Sequence, residues 1–222
     1  DHMSNTFPTN VPKLCARCHR EGEKAALRYK GAEHEITGNY TESIHGKGLL
    51  KSGLTVTAMC TSCHTAHAIL PAKDPASSVN ERNIPNTCSQ CHHGIYEQFE
   101  ASIHATGKAP EGKSLPTCRT CHSAHSIQRA DADKFRIGIM QRCGQCHGDV
   151  AETYFETYHG KVSQLGYGKT AKCHDCHGAH DIFAIDDPRS RLSRKNILET
   201  CQKCHPGAGR RFAGYLTHST HN

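Results

Sequence analysis

The sequence predicts a mostly irregular chain with short α-helices and little or no β-structure, built from a repeated module around a core that is not protein. Three observations carry that expectation. The 222 residues are 36% hydrophobic and 6% aromatic, lack tryptophan and have a mean hydropathy of −0.65, too apolar-poor for an ordinary core of this length. Cysteine (14) and histidine (19) are abundant instead. The cysteines also recur in one pattern whose copies start 45, 28, 30, 25, 30 and 28 residues apart, the mark of an internal repeat.

That pattern is C-x-x-C-H, and it absorbs every cysteine. Its copies are Cys15/Cys18/His19, Cys60/Cys63/His64, Cys88/Cys91/His92, Cys118/Cys121/His122, Cys143/Cys146/His147, Cys173/Cys176/His177 and Cys201/Cys204/His205. Paired zinc hooks sit closer together and need no histidine after each one, and disulfides or redox dithiols place no demand on the next residue. Seven chance histidines in that position have a probability on the order of 10⁻⁸, so the motif reads as c-type haem attachment. Two thiols add across the haem vinyl groups, and the adjoining histidine is carried under the ring as proximal iron ligand. Seven covalent haems in a compact chain with a radius of gyration of ~17 Å would sit close together, and stacked macrocycles would form the core.

Twelve histidines remain, and seven recur in a frame. After the second, fourth and sixth motifs the chain continues C-H-x-x-H, giving His67, His125 and His180, followed by His67-Ala-Ile, His125-Ser-Ile and His180-Asp-Ile. The odd-numbered motifs are followed by a Tyr/Phe-rich segment ending in histidine: Tyr40 to His45, Phe99 to His104, Phe155 to His159 and Tyr215 to His218. His19, His64, His92, His122, His147, His177 and His205 are thus the expected proximal ligands. His45, His67, His104, His125, His159, His180 and His218 are the expected distal ones. His34 competes with His45, which the shared Ser-Ile-His favours. Met59 and Met140 fall outside any repeated position and read as packing. His93, His174 and His221 read as exposed or propionate-contacting. The second histidine of C-H-x-x-H lies about one helical turn from the first, so a neighbouring haem is its better target. Which haem each spare histidine serves does not follow from sequence.

The alternation defines a two-haem module. The expected divisions are a tail at 1–10, whose Asp1-His2-Met3 reads as a cloning remnant, modules at 11–87, 88–142 and 143–200, and a half module at 201–222. Asp74-Pro75…Asn83 and Asp187-Pro188…Asn196 echo one another before Cys88 and Cys201. Tyr96, Phe99 and Ile103, and Val150, Tyr154 and Tyr158, fall at helical spacing, predicting short amphipathic helices ahead of His104 and His159.

The formal charge of +6 first suggests an acidic partner such as nucleic acid. Two propionates per haem change it to roughly −1 when oxidised, so the lysines and arginines offset cofactor carboxylates and nucleic acid is not indicated. No apolar run approaches the roughly 20 residues of a membrane span. No signal peptide opens the chain, so any export signal has been removed.

With its Ser-Ile-His-Gly and Cys-His-Gly-Ala-His-Asp-Ile frames, the doubled unit resembles the paired C-x-x-C-H multihaem c-type cytochromes of anaerobic respiratory bacteria. It is most similar to periplasmic multihaem domains that precede a b-type membrane domain in menaquinol–cytochrome oxidoreductases. The resemblance implies a periplasmic electron carrier whose partners are other cytochromes and a quinol-oxidising membrane domain. In that family the stretch from Tyr215 to His221 leads towards membrane helices, so quinone chemistry and membrane contact would lie outside residues 1–222. Bis-histidine iron has no open position and lacks the methionine that raises potential, so low-potential, low-spin haems and no catalytic residue are expected. The alternatives are a multihaem reductase for nitrite, hydroxylamine or a sulfur oxyanion, which needs a vacant iron, and a subunit of an extracellular cytochrome filament.

Overall fold

A chain with so few large apolar residues can form only short helices, because most helical stability comes from packing an apolar face. The computed structural model describes residues 1–28, 33–109, 111, 114–214 and 218–219, and these contain helices and turns but no β-strand. Tyr215 and His221 lie outside the described residues. In chain order the helices are α1 (Val11–His19), α2 (Lys24–Arg28), α3 (Ile36–Glu42), α4 (Ile44–Leu50), α5 (Cys60–His64), α6 (Ile84–Ser89), α7 (His93–Glu100) and α8 (Ile103–Thr106). They continue as α9 (Cys118–His122), α10 (Asp133–Gly144), α11 (Gly148–Phe155), α12 (Tyr158–Gln164), α13 (Cys173–His177), α14 (Ile197–Gln202) and α15 (Arg210–Ala213). None is long and apolar enough to cross a membrane.

The helices fall into two compact units. One contains Asp1–Cys91 with Thr117–Arg129, and the other His92–Pro116 with Ala130–Asn222. In the first, α1 packs on α2, α3 and α5, and α6 on α9; in the second, α11 packs on α10 and α12, and α14 on α15. Among the described residues the buried apolar side chains are few: Val11, Ala26, Leu49, Ile84, Met140, Tyr154 and Ala208. Met140 is a core residue at 2% exposure, as its reading as packing expected. Leu54, Val56, Leu165 and Ile185 are exposed.

The expected helices before His104 and His159 are each broken in two. Ser102 and Thr157 have extended backbones (ψ 161° and 168°) and start new short helices, α8 and α12. Ile103 and Tyr158 therefore leave the apolar face of the helix before them, and Tyr158 is 72% exposed. Ser43 does the same between α3 and α4.

Polar side chains replace apolar burial in the connectors. Asn83 Nδ2 donates to the carbonyls of Pro75 and Ser77, both at 2.9 Å, and Asn196 Nδ2 to those of Pro188 and Ser190 at the same distance. Asn10 repeats this with His2 and Ser4, again at 2.9 Å. Successive three-residue backbone turns accompany each clasp, through Ser4, Phe7 and Asn10, through Ser77, Asn80 and Asn83, and through Ser190, Ser193 and Asn196. Residues 1–10 are thus folded like 74–83 and 187–196, sharing the pattern D-x-x-S-x5-N. The Asn83→Ala variant loses two carbonyl bonds and is expected to be destabilised by about 1–2 kcal/mol, read as a lowered thermal midpoint.

Candidate functional site

On a helix, positions i, i+3 and i+4 share a face, so C-x-x-C-H aims both thiols and the imidazole the same way. The structure provides two settings for this triad. The second, fourth and sixth motifs are complete five-residue helices, α5, α9 and α13. The N–H of the preceding residue is tied to the third helical side chain: Met59 to Ser62 Oγ (3.1 Å), Thr117 to Thr120 Oγ1 (3.0 Å) and Lys172 to Asp175 Oδ2 (2.8 Å). The other four motifs lie at the C-terminal ends of α1, α6, α10 and α14 or run just past them. The alternation seen in sequence is therefore an alternation of local structure.

After each short motif helix the chain turns sharply. Thr65 and Ser123 both have φ 64°, and Gly178 occupies the same place at φ 91°. A left-handed backbone is costly for residues with a Cβ and clusters at functional positions. Here the turn lies between the motif histidine and the second histidine of C-H-x-x-H, three residues after it, separating their directions.

The first thiols of adjacent motifs meet in pairs. Cys60 is hydrogen-bonded to Cys15, Cys88 to Cys118, and Cys143 to Cys173. Burial and the Cys15 thiol push the Cys60 thiol up to about 12. Each pair joins an odd-numbered motif to the even-numbered one after it, as in the sequence module. Cys201, in the unpaired seventh motif, is half-buried.

The second thiols divide differently. Cys63, Cys121 and Cys176 of the even-numbered motifs are half-buried, whereas Cys18, Cys91, Cys146 and Cys204 of the odd-numbered ones are exposed. The cause is local. Cys63, Cys121 and Cys176 lie inside the short helices α5, α9 and α13, while Cys91, Cys146 and Cys204 fall two residues beyond the ends of α6, α10 and α14, and Cys18 is in the last turn of α1. None of the fourteen cysteines is in a disulfide.

The histidines also come in twos. Ring centres lie 6.1 Å apart for His64 and His125, 6.2 Å for His104 and His147, 6.1 Å for His159 and His205, and 6.3 Å for His177 and His218. The interplanar angles run from 3° to 64°. Ordinary ring contacts reach the same distances, as Tyr154 and His218 do at 6.2 Å, so what sets these pairs apart is which histidines they join. Two imidazoles on opposite sides of one metal, each bonded at about 2 Å, have ring centres roughly 6 Å apart. Every pair joins one motif histidine to one spare histidine. His125 faces His64, not His122 of its own C-H-x-x-H.

The surroundings suit ligation. Burial lowers the pKa of the half-buried His64, His104 and His159, holding these imidazoles neutral with a nitrogen lone pair available. His218 Nδ1 donates to the Val150 carbonyl at 3.0 Å, and His125 Nδ1 meets Glu33 Oε2 at 2.9 Å. Both contacts place the proton on Nδ1 and free Nε2. Among the described residues no group of three or more His, Cys, Asp or Glu converges to hold a bare ion. Arg136, ion-paired to Asp175 at 3.1 Å, has a buried Nε with no hydrogen-bond partner, a donor that suits a cofactor carboxylate. The residues therefore fit bis-histidine haem.

The remaining spare histidines are placed as follows. His45 is half-buried on α4, and His180 is half-buried; both have side-chain partners, as does the exposed His34. His67 is exposed. His93 is exposed beside Glu97, while His174 is more sheltered beside Asp175. Sequence reasoning missed Glu33, Arg136 and the nearly inaccessible Lys172, whose Nζ donates to the Gly168 and Thr170 carbonyls at 2.8 and 2.6 Å. Glu33 and Arg136 act through contacts with residues distant in sequence, and Lys172 through bonds within its own loop, so none carries a repeated signature.

Residues 112–206, under half of the chain, match the cytochrome c3 family model, a span holding the last four motifs. Over 126 residues the chain is 28% identical to a "Multiheme cytochrome MtrC" from Shewanella baltica, a match covering 55% of this chain and 18% of that protein. Both similarities support a multihaem c-type cytochrome. Covalently bound c-type haems and electron transfer come with that reading, and the helical structure, without strands among the described residues, agrees with it.

The turn after α9 offers a direct test of this local design. Ser123→Gly removes the left-handed penalty and is expected to stabilise the protein by about 1 kcal/mol, measured by chemical denaturation; Gly178 already fills that place after α13.

Proposed function

We propose that the chain holds seven c-type haems, one on each C-x-x-C-H motif, and passes single electrons along them. The observation that carries this reading is a set of motif-to-spare histidine pairs at 6.1–6.3 Å, formed by His64 and His125, His104 and His147, His159 and His205, and His177 and His218. When bound, such haems supply reversible one-electron chemistry at iron with both axial positions filled.

In this reading the two thiols of each motif, from Cys15 and Cys18 through Cys118 and Cys121 and Cys143 and Cys146 to Cys201 and Cys204, carry the thioether links. His64 and His125, His147 and His104, His205 and His159, and His177 and His218 are axial pairs. His19, His92 and His122 are proximal ligands of the other three irons, and His45, His67 and His180 remain their distal candidates, with His34 a competitor. Three modules bounded at 11–87, 88–142 and 143–200, with a half module after them, follow from the same assignment, supported by the thiol pairs. The protein works in the periplasm, between a quinol-oxidising membrane domain and other cytochromes. Its sequence resemblance to the haem domains of menaquinol–cytochrome oxidoreductases supports this placement.

Intact mass and the pyridine haemochrome assay should give seven haems per chain, with an oxidised spectrum that is low-spin throughout. A smaller number, or a five-coordinate high-spin signal, would overturn the proposal. The His125→Ala variant should keep its full haem complement while one haem becomes high-spin. Glu33 accepts from the His125 imidazole and adds electron density to it, favouring the ferric state. Glu33→Gln should therefore raise the midpoint potential of one haem, resolved by a spectroelectrochemical titration against the parent protein.

A further inference from the structure

Three copies of the frame ending in His45, His104 and His159 can be compared position by position, and two are clasped in a way the third is not. In the first, Ser43 Oγ donates to the Tyr40 carbonyl at 2.6 Å and accepts from the Gly46 N–H at 3.0 Å. In the third, Thr157 Oγ1 makes the same bonds with Tyr154 and Gly160, at 2.7 and 3.2 Å. The glycine is required: a Cβ on Gly46 would lie 1.9 Å from the Tyr40 carbonyl oxygen, and one on Gly160 2.1 Å from that of Tyr154.

The His104 copy has Ala105 at the glycine position. Ser102 is 1% exposed, yet its Oγ has no hydrogen-bond partner. A second tie is missing too. Tyr40 and Tyr154 donate their hydroxyls to the carbonyls of Ala58 (3.0 Å) and Ala171 (2.6 Å), just ahead of the next cysteine motif. The equivalent residue here is Phe99, which has no hydroxyl. The helices α4 and α12 are seven residues long, and four positions beyond the histidine they bury Leu49 and Ser163 completely. The helix α8 has four residues, and Lys108, at the same position, is exposed. What this copy keeps is the backbone bond from Ile103 to the Ile182 carbonyl at 2.8 Å, matched by Ile44 to Ile127.

We propose that the position between His104 and His147 is where the chain yields an axial histidine to a small neutral ligand such as carbon monoxide, His104 giving way before His45 or His159. The proposal rests on the axial pairing put forward above. Exchange breaks one iron–imidazole bond and forms one iron–carbon bond, with no net electron transfer. The iron must be ferrous, which dithionite ensures in the test.

Dithionite-reduced whole protein is mixed with carbon monoxide, and the Soret change gives both the rate of uptake and the number of haems reacting. One haem per chain should react fast. Ala105→Gly allows the N–H of residue 105 to reach Ser102 Oγ, and Phe99→Tyr provides the missing hydroxyl. The double variant should take up carbon monoxide about tenfold more slowly, and Phe99→Tyr alone should slow it in part. Tyr154→Phe should add a second reacting haem. His104→Ala, read by the spin state of the oxidised protein, separates the two ideas. If it leaves every haem low-spin, the axial pairing is wrong and the proposal falls with it. If it creates one high-spin haem while the parent takes up no carbon monoxide, or the double variant reacts as fast as the parent, the pairing stands and the proposal is overturned.

Discussion

On the proposed ligation the constraint on which this molecule depends is a distance: a motif histidine and a spare histidine from another stretch of chain must have ring centres about 6 Å apart. His64 and His125 are 61 residues apart in sequence, His104 and His147 43. Bringing such segments together in an ordinary protein relies on buried apolar area, and here the apolar core is slight. The task falls to many small polar devices. The asparagine clasps, the tied N–H ahead of each short motif helix and the hydroxyl caps at Ser43 and Thr157 fix the local geometry that lets distant imidazoles meet. A fold of this kind is specified by hydrogen bonds and covalent cofactor links more than by side-chain packing.

The left-handed residues show how local and long-range structure are joined. Without the turn at Ser123, the helix of α9 would continue and hold His125 on much the same face as His122, one helical turn away. With it, His125 is delivered to His64. The same place carries Thr65, Ser123 and Gly178, so the geometry persists even where the residue type does not favour it.

Much of this was legible in the amino-acid sequence. C-x-x-C-H is a chemical signature in which all three residues touch one cofactor, and on the proposed ligation the spare histidines recur because each module needs them in the same frame. The sequence expectation that C-H-x-x-H supplies a neighbour assumed that the helix ran on through the second histidine, whereas the turn at Ser123 ends it, and it is this turn that sets His125 6.1 Å from His64. What could not be read was tertiary. No sequence rule says that His218 faces His177, because the contact depends on His218 being held against Val150 and Thr153 of α11. Nor does the motif itself say that Cys121 is sheltered while Cys146 and Cys204 are exposed, since that depends on whether a helix continues through the second cysteine. The breaks at Ser102 and Thr157 were hidden because tyrosine, isoleucine and phenylalanine kept helical spacing across them. Residues 1–10 looked like a tail because only Asp1, Ser4 and Asn10 match the connectors at 74–83 and 187–196, and a clasp needs no more than those.

Crossed ligation has a consequence for how such a chain can be divided or extended. On the proposed pairing, His125 serves the site at His64 and His104 the site at His147, so a cut between the first two modules or the last two severs an iron from one of its two ligands. The modules are repeats in sequence but not independent parts. Like stitches in knitting, each loop is held by the next, so one cannot be removed without releasing its neighbour. Lengthening such an array therefore requires whole modules joined in phase, while shortening it leaves a loose histidine and an open iron at the new edge.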